Sequence, residues 1–155
     1  MSEDLKKNRL FCFGLGFAAQ VFAKRMRAQD WTISGSCRAI DEKDSLKELS
    51  VFPFDGTHVT EEICDVLSKA THLLISIPPQ SSGDVVLQNF SSQIAECKNV
   101  KWIGYISSTG VYGDTQGKWV NESSPLQPET ELNVRRMEAE NGWLSMVKEN
   151  GCPVM

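Results

Sequence analysis

The stretch Phe11–Gln20, FCFGLGFAAQ, limits the folds available to this chain more than any other segment does. Phe11 and Phe13 are typical of a buried strand, and Gly14 and Gly16 follow at once. Apolar residues then recur at four-residue spacing, as on one face of a helix: Ala18, Phe22 and Met26. The segment therefore predicts a strand, a tight turn and a helix, in that order.

Strand-like and helix-like segments alternate along the rest of the chain. We expect strands to begin near residues 9, 31, 51, 72 and 101, at the spacing of repeated βα units. Helices are expected over Thr60–Ala70, Asp84–Cys97 and Thr130–Glu149. Because βα crossovers share one hand, we predict a doubly wound parallel sheet, a Rossmann-like α/β fold with five recognisable strands. Gly151–Met155 is interpreted as the entry to a sixth strand, which predicts that the C-terminal part of the fold is missing.

The composition predicts one soluble domain over residues 1–155. The chain is 41% hydrophobic and 23% charged, with a net charge of -4, which argues against nucleic acid or an anionic membrane as a partner. Its five cysteines show no C-x-x-C motif and no Cys/His pairing at metal spacing, so we expect reduced thiols and no metal site. No apolar run reaches the length of a signal or a membrane span, and we expect a cytoplasmic protein.

The glycine-rich turn is a candidate pyrophosphate cradle. After the first strand of a βαβ unit, backbone N–H groups and the positive end of a helix meet at the carboxyl edge of the sheet. Gly14 permits the tight turn, Gly16 leaves room for phosphates, and Ala19 lets the helix close on the strand. Phe17 and Ala18 complete the predicted binding turn. The alternative is an α/β turn that binds nothing.

The end of the second strand favours NADP over NAD, although NAD is possible. A ribose 2′-hydroxyl calls for an acidic residue there and a 2′-phosphate for a basic one. Arg38 stands at this position, and we expect its guanidinium to bind the 2′-phosphate with the Ser36 hydroxyl as a second donor. A solvent-facing Arg38 without a ligand is the alternative.

The segment Tyr105–Gly113, YISSTGVYG, resembles the extended or atypical short-chain dehydrogenase/reductase superfamily, the NAD-dependent epimerase/dehydratase group. In that family a Ser-x-x-Val-Tyr-Gly pattern ends the fifth strand, and Ser108–Gly113 is similar. The likeness extends over nearly the whole chain, as the N-terminal half of such a protein without its substrate-binding lobe. It implies a homodimer as a possibility, an unknown small-molecule substrate, and hydride transfer at a carbonyl or hydroxyl carbon.

The resemblance also implies roles for individual residues. Ser108 matches the hydroxyl that binds the reacting oxygen of the substrate, with Thr109 beside it. Asp55 stands in the place of the adenine-contacting Asp. The loop after the fourth strand is expected near the nicotinamide, which adds three cofactor-binding residues: Ser76, Ile77 and Pro78.

The chain departs from the family at the Tyr-x-x-x-Lys pair. Leu132 stands at the Tyr position, and leucine cannot transfer a proton. Arg136 stands at the Lys position, where it is expected to hold a ribose hydroxyl or a phosphate. Tyr112 is the nearby phenol that could replace the acid. Three hypotheses stay open: an NADP-linked oxidoreductase or sugar-nucleotide-type epimerase, an inactive NADP-binding sensor or interaction module, and an incomplete fragment that binds nothing.

Overall fold

The computed structural model describes residues 7–38, 49–151 and 154–155. Within these ranges, five parallel strands form one sheet in the order β3-β2-β1-β4-β5. Their bounds are Arg9–Phe13 for β1, Thr32–Cys37 for β2, Ser50–Pro53 for β3, His72–Ile75 for β4 and Trp102–Tyr105 for β5. The chain therefore runs outward from β1 to β3 and then returns to place β4 on the other side of β1. The predicted Rossmann-like fold is confirmed.

The last two residues extend this sheet beside β5. Ile103 and Val154 form a parallel bridge, and the Met155 N–H donates to the Ile103 carbonyl at 2.8 Å. The Tyr105 N–H donates in turn to the Met155 carbonyl at 3.0 Å. The predicted entry to a sixth strand is thereby confirmed, next to β5.

In the described part of the chain, four α-helices cover the sheet: α1 over Phe17–Arg27, α2 over Glu61–Ser68, α3 over Val85–Glu96 and α4 over Glu131–Asn150. The predicted cap of α2 is confirmed, because the Thr60 side chain accepts a hydrogen bond from the Ile63 N–H. Asp84 caps α3 and accepts from the N–H groups of Val86 and Leu87. Within the described residues, no helix is long and apolar enough to cross a membrane.

Two apolar clusters lie on opposite faces of the sheet. The larger one packs the aromatic residues Phe11, Phe13 and Phe90 against α2, α3 and α4. The smaller one packs Ala19 and Ala23 of α1 on the other face. Both faces of β1 are thus covered, which explains its apolar sequence.

The apolar face of α1 is rotated from its predicted position. Ala18 was expected on the buried face of α1, but it is exposed, and Ala19 and Ala23 are buried instead. In α4, Leu132 in the first turn is 51% exposed, whereas Ala139 and Trp143 further along the helix are buried. A four-residue spacing in the sequence predicts a helix, but tertiary packing decides which face of that helix is buried.

Candidate functional site

A cavity of about 710 Å³ opens at the carboxyl ends of β1, β2, β3 and β4. This is the edge where the strand order reverses, and ligands of open α/β sheets bind at such a switch point. Seven of the predicted site residues line the cavity: Gly14, Gly16, Arg38, Asp55, Ser76, Ile77 and Pro78. A volume of this size is ordinary for a small-molecule or cofactor site.

Gly14 is fixed by both its backbone conformation and its surroundings. Its φ is +87°, a region that side chains with a Cβ rarely adopt. A methyl group there would lie 2.8 Å from Ile77 Cγ1 and 3.2 Å from the Ile77 backbone nitrogen. The β1–α1 turn therefore lies directly against the loop after β4, and glycine is required for that contact.

Gly16 is the N-cap residue of α1 and has an ordinary backbone, with φ of -74°. A methyl group on Gly16 would meet little: the nearest atom is Ser76 Oγ at 3.9 Å. Its lack of a side chain therefore keeps the cavity open instead of relieving strain. This geometry agrees with the predicted reason for a glycine here.

The first turn of α1 directly follows Gly16, which lines the cavity, whereas Phe17, Ala18 and Ala19 are not among the lining residues. The N–H groups of Phe17, Ala18 and Ala19 have no acceptor within the helix. Within the described part of the chain no side chain caps them, and the first turn holds no acidic residue. The basic residues Lys24 and Arg25 lie at the other end, in the last turn. Phe17 is 87% exposed, and the positive end of the helix dipole is open to an anion.

The predicted role of Ser36 as a second phosphate donor is wrong. Ser36 is completely buried and does not line the cavity. Its hydroxyl accepts a hydrogen bond from the Gly14 N–H at 3.2 Å, and its carbonyl accepts from the Leu15 N–H at 2.9 Å. Ser36 therefore fixes the glycine turn to the end of β2, which is a supporting role.

Arg38 lies on the cavity wall directly after β2, as predicted. Its side chain is exposed, and its neighbour Cys37 also lines the cavity. Of the described residues that line this cavity, Arg38 is the one cation and Asp55 the one carboxylate. A guanidinium at this place adds to the positive end of α1 on the same edge of the sheet.

The Asp55 carboxylate accepts hydrogen bonds from residues of its own turn. Oδ1 accepts from the Thr57 N–H and hydroxyl, both at 2.8 Å, and from the His58 N–H at 3.1 Å. Oδ2 lies 3.0 Å from His58 Nδ1. The hydrogen bond from the His58 side chain, with those from Thr57, holds the pKa of Asp55 far below its usual range. Asp55 lines the cavity as predicted, but as a charged residue whose partners lie in its own loop.

The predicted catalytic residues lie at the end of β5, outside the cavity lining. Ser108 and Thr109 are exposed, and the Ser108 hydroxyl accepts from the Gly110 N–H at 3.2 Å. Ser108 thereby begins a short 3-10 helix over Thr109–Tyr112. β4 separates β5 from the glycine turn on β1. The acceptor role leaves the Ser108 O–H hydrogen available to a ligand.

Arg136 contacts β5 instead of the cavity. Its Nη1 donates to the Ile106 carbonyl at 2.8 Å, and its guanidinium carbon lies 6.0 Å from the centre of the Tyr105 ring. This arrangement stabilises the junction of α4 with the end of β5. The expected contact of Arg136 with a cofactor stays a prediction.

No phenol occupies the expected proton-donor position on α4. Leu132 is half exposed there, and the neighbouring Asn133 places its carboxamide against Gly110. The Tyr105 hydroxyl is buried with no partner among the described residues, and burial raises its pKa to about 12. A proton held that tightly is unsuited to acid catalysis near neutral pH.

Several lining residues were missed by the sequence analysis, chiefly Phe54, Gly56, Gln80 and Val85. Gly56 directly follows Asp55 and has a φ of +102°, so a glycine after a polar strand end was an available signal. Gln80 follows two prolines, and nothing in its local pattern indicates a site. In the described ranges no three His, Cys, Asp or Glu side chains are grouped as metal ligands.

Comparisons with known proteins support the fold over almost the full chain. No protein family model matches. Protein YeeZ of Escherichia coli (strain K12) is 29% identical over 141 residues, covering 84% of this chain and 51% of YeeZ. A conserved Silicibacter pomeroyi DSS protein of unknown function is similar in structure, with 33% identity and a TM-score of 0.80 over 96% of this chain and 51% of that one. The chain thus spans about half the length of the relatives it matches.

Two solved epimerases share the same architecture at lower identity. UDP-N-acetylglucosamine 4-epimerase from Bacillus cereus has a TM-score of 0.74 at 17% identity, over 96% of this chain and 58% of that one. UDP-glucuronic acid 4-epimerase from Bacillus cereus, solved with UDP-glucuronic acid and NAD, has a TM-score of 0.72 at 14% identity, over 95% of this chain and 55% of that one. The chain has the Rossmann-like α/β fold found in the corresponding half of these epimerases.

Proposed function

We propose that residues 1–155 are the dinucleotide-binding half of a protein of the epimerase/dehydratase type, and that the cavity binds NADP. The observation that carries the proposal is the meeting of three features at one sheet edge: the Gly14 turn, the open first turn of α1, and Arg38. The known dinucleotide complex of a protein with this fold supports it, since the Bacillus cereus UDP-glucuronic acid 4-epimerase was solved with NAD.

The residues present fit a dinucleotide phosphate. The pyrophosphate would lie on the N–H groups of Phe17 and Ala18, where Gly16 offers no side chain to obstruct it. The 2′-phosphate would pair with the Arg38 guanidinium. An NAD site has its ribose-binding acidic residue at the end of the second strand, and here Arg38 stands directly after β2. Asp55 follows β3 and is bonded within its own loop.

In the enzymatic form of the proposal, Ser108 and Thr109 hold the oxygen of the reacting carbon at the end of β5. A bound nicotinamide supplies the hydride chemistry. Ser108 donates its O–H hydrogen to the substrate oxygen, while its oxygen still accepts the hydrogen bond from the Gly110 N–H. Arg136 fixes the end of β5 through the Ile106 carbonyl and so holds this hydroxyl in place.

The second candidate is an NADP-binding sensor or interaction module without chemistry. Two observations favour it: Leu132 stands at the position where the resemblance implies the proton donor, and Arg136 is bonded to the Ile106 carbonyl. The two candidates differ in turnover. If the protein is an enzyme, the full-length protein should oxidise NADPH when it is supplied with a panel of candidate carbonyl compounds and sugar nucleotides. Binding without turnover, with activity gained in Leu132→Tyr/Arg136→Lys, supports the sensor.

Calorimetric titration of the chain with NADPH and NADH tests the proposed cofactor directly. We expect tighter binding of NADPH, and we expect Arg38→Ala to weaken NADPH about tenfold or more while leaving NADH unchanged, since hydrogen bonds to charged groups contribute about 1.5–3 kcal/mol. Arg25→Ala, in the last turn of α1, is the matched control and keeps the preference. Equal binding of both nucleotides, or none, would contradict the NADP proposal.

A further inference from the structure

The turn between β1 and α1 is held by hydrogen bonds on its β2 side. The Gly14 N–H donates to the Ser36 hydroxyl at 3.2 Å, and the Leu15 N–H donates to the Ser36 carbonyl at 2.9 Å. Both N–H groups are therefore used within the protein. The next N–H along the chain, that of Gly16, makes no hydrogen bond within the described residues. Because Gly16 lines the cavity, its N–H is the first in the turn that is left for a ligand.

A further hydrogen bond holds the same turn from the helix side. Gln20 is the last residue of the FCFGLGFAAQ stretch and lies in α1. Its Nε2 donates to the Leu15 carbonyl at 2.7 Å. Gln20 is half-buried and is not among the residues that line the cavity. The Leu15 carbonyl is therefore directed at the side chain on α1 and not into the cavity.

This hydrogen bond constrains the peptide group between Leu15 and Gly16. In a planar trans peptide the C=O and the N–H point in opposite directions. A carbonyl held on the side of Gln20 therefore directs the Gly16 N–H to the other side, where Gly16 borders the cavity. Gly16 has no side chain to restrict its backbone, so the glycine itself does little to fix the orientation of this peptide group.

We propose that Gln20 is a positioning residue of the dinucleotide site, which fixes the peptide group between Leu15 and Gly16 so that the Gly16 N–H donates to the pyrophosphate. This inference rests on the proposed dinucleotide function. The Gln20 carboxamide touches no ligand and acts through the backbone of the turn. A donor that is already oriented in the free protein loses less conformational freedom on binding, so the site binds the phosphates more tightly.

Gln20→Met tests this role, because methionine has a similar helix propensity but cannot donate a hydrogen bond. We expect calorimetric titration to show that NADPH and NADH both bind about fivefold more weakly, since the net contribution of one hydrogen bond corresponds to roughly two- to tenfold. Both nucleotides are affected because both carry the pyrophosphate. This pattern differs from that of Arg38→Ala, which should weaken NADPH alone.

Gln93→Met is the matched control. Gln93 Nε2 of α3 also donates to a backbone carbonyl, that of Cys64, at 3.1 Å, and Gln93 does not line the cavity. This variant loses the same kind of hydrogen bond outside the proposed site, so it should keep both affinities. Similar urea midpoints of the two variants would show that weaker binding in Gln20→Met does not come from a general loss of stability.

Amide NMR spectra at saturating NADPH give a second readout, which a purely structural role would not change. In the original chain, NADPH should shift the Gly16 N–H strongly. In Gln20→Met that shift should be greatly reduced while the change at Arg38 persists, because the Gly16 N–H is no longer directed at the phosphates.

The outcomes separate this inference from the proposed function. Unchanged nucleotide affinities in Gln20→Met, or a Gly16 shift as large as in the original chain, overturn the role of Gln20 and leave dinucleotide binding intact. An equal loss of affinity in Gln93→Met also overturns it, because the effect would then follow stability. Failure of the original chain to bind either nucleotide overturns both.

Discussion

At the residue scale, the site depends on two glycines that act in different ways. Gly14 is required by its positive φ and by the approach of Ile77, whereas Gly16 has an ordinary φ and faces open space. Gly14 is therefore a structural requirement of the turn. Gly16 is a requirement of the proposed ligand, and the two effects can be measured separately.

Gly14→Ala should destabilise the fold by about 2 kcal/mol or more, because it combines backbone strain with a clash against Ile77. Gly117→Ala is the control. The φ of Gly117 is +75°, but a methyl group there meets nothing within 4 Å, so the free energy of unfolding should fall by only about 1 kcal/mol. Urea unfolding gives both free energies. Equal losses would show that the contact with Ile77 does not constrain the turn.

Gly16→Val should weaken NADPH binding at least tenfold, while the free energy of unfolding falls by only about 1 kcal/mol, because valine is a poorer N-cap residue than glycine. The reason is that the new side chain points into the cavity at the first turn of α1. Thermal unfolding and calorimetry on one preparation provide both readouts. Unchanged affinity in a stable variant would remove the first turn of α1 from the proposed phosphate site.

At the element scale, α3 is fixed to α4 by a buried carboxylate. Asp84 Oδ1 caps α3, and Asp84 Oδ2 accepts from Trp143 Nε1 at 3.0 Å. Sequence reasoning found this helix and its start, because a cap residue before an apolar run is a local signal. It did not find the bond to Trp143, which joins residues 59 positions apart. Sequence reasoning also missed the burial of Ser36, because that burial depends on the glycine turn that packs against it.

Asp84→Ala should cost about 2–4 kcal/mol of stability, since it removes a cap and leaves the buried Trp143 N–H without an acceptor. Thr60→Ala, which removes the cap of α2 alone, should cost about 1 kcal/mol. Chemical unfolding monitored by tryptophan fluorescence compares the two variants. A loss for Asp84→Ala no larger than that for Thr60→Ala would mean that the bond to Trp143 contributes nothing.

At the scale of the whole molecule, both sheet faces carry an apolar cluster. Among the described residues, α2, α3 and α4 pack on one face and α1 packs on the other, where further aromatic residues lie over β4 and β5. Phe22, Trp31, His72 and Trp102 line a pocket of about 250 Å³ there. The Trp102 ring lies against Gly104, where a methyl group would overlap it. The alternation of strands and helices predicted the sheet, but this pocket depends on residues far apart in the sequence, which local patterns do not connect.

His72 on this aromatic face predicts a pH dependence of stability. Burial, and then the charge of Lys101, lower the pKa of His72 below its usual 6.5. The unfolded chain therefore binds a proton more readily, so stability should fall as pH drops below 6.5 and be fully present above it. Urea midpoints between pH 5 and 7 should rise less steeply in His72→Gln than in the original chain. Identical slopes would exclude a contribution from His72.

The central claim is that the Gly14 turn and the first turn of α1 bind the phosphates of NADP. Amide NMR spectra recorded during an NADPH titration test it residue by residue. The account predicts the largest shifts at the N–H groups of Gly16, Phe17 and Ala18, with a further change at Arg38 that is absent when NADH is used. Shifts confined to the aromatic pocket on the α1 face, or no shifts with either nucleotide, would contradict it.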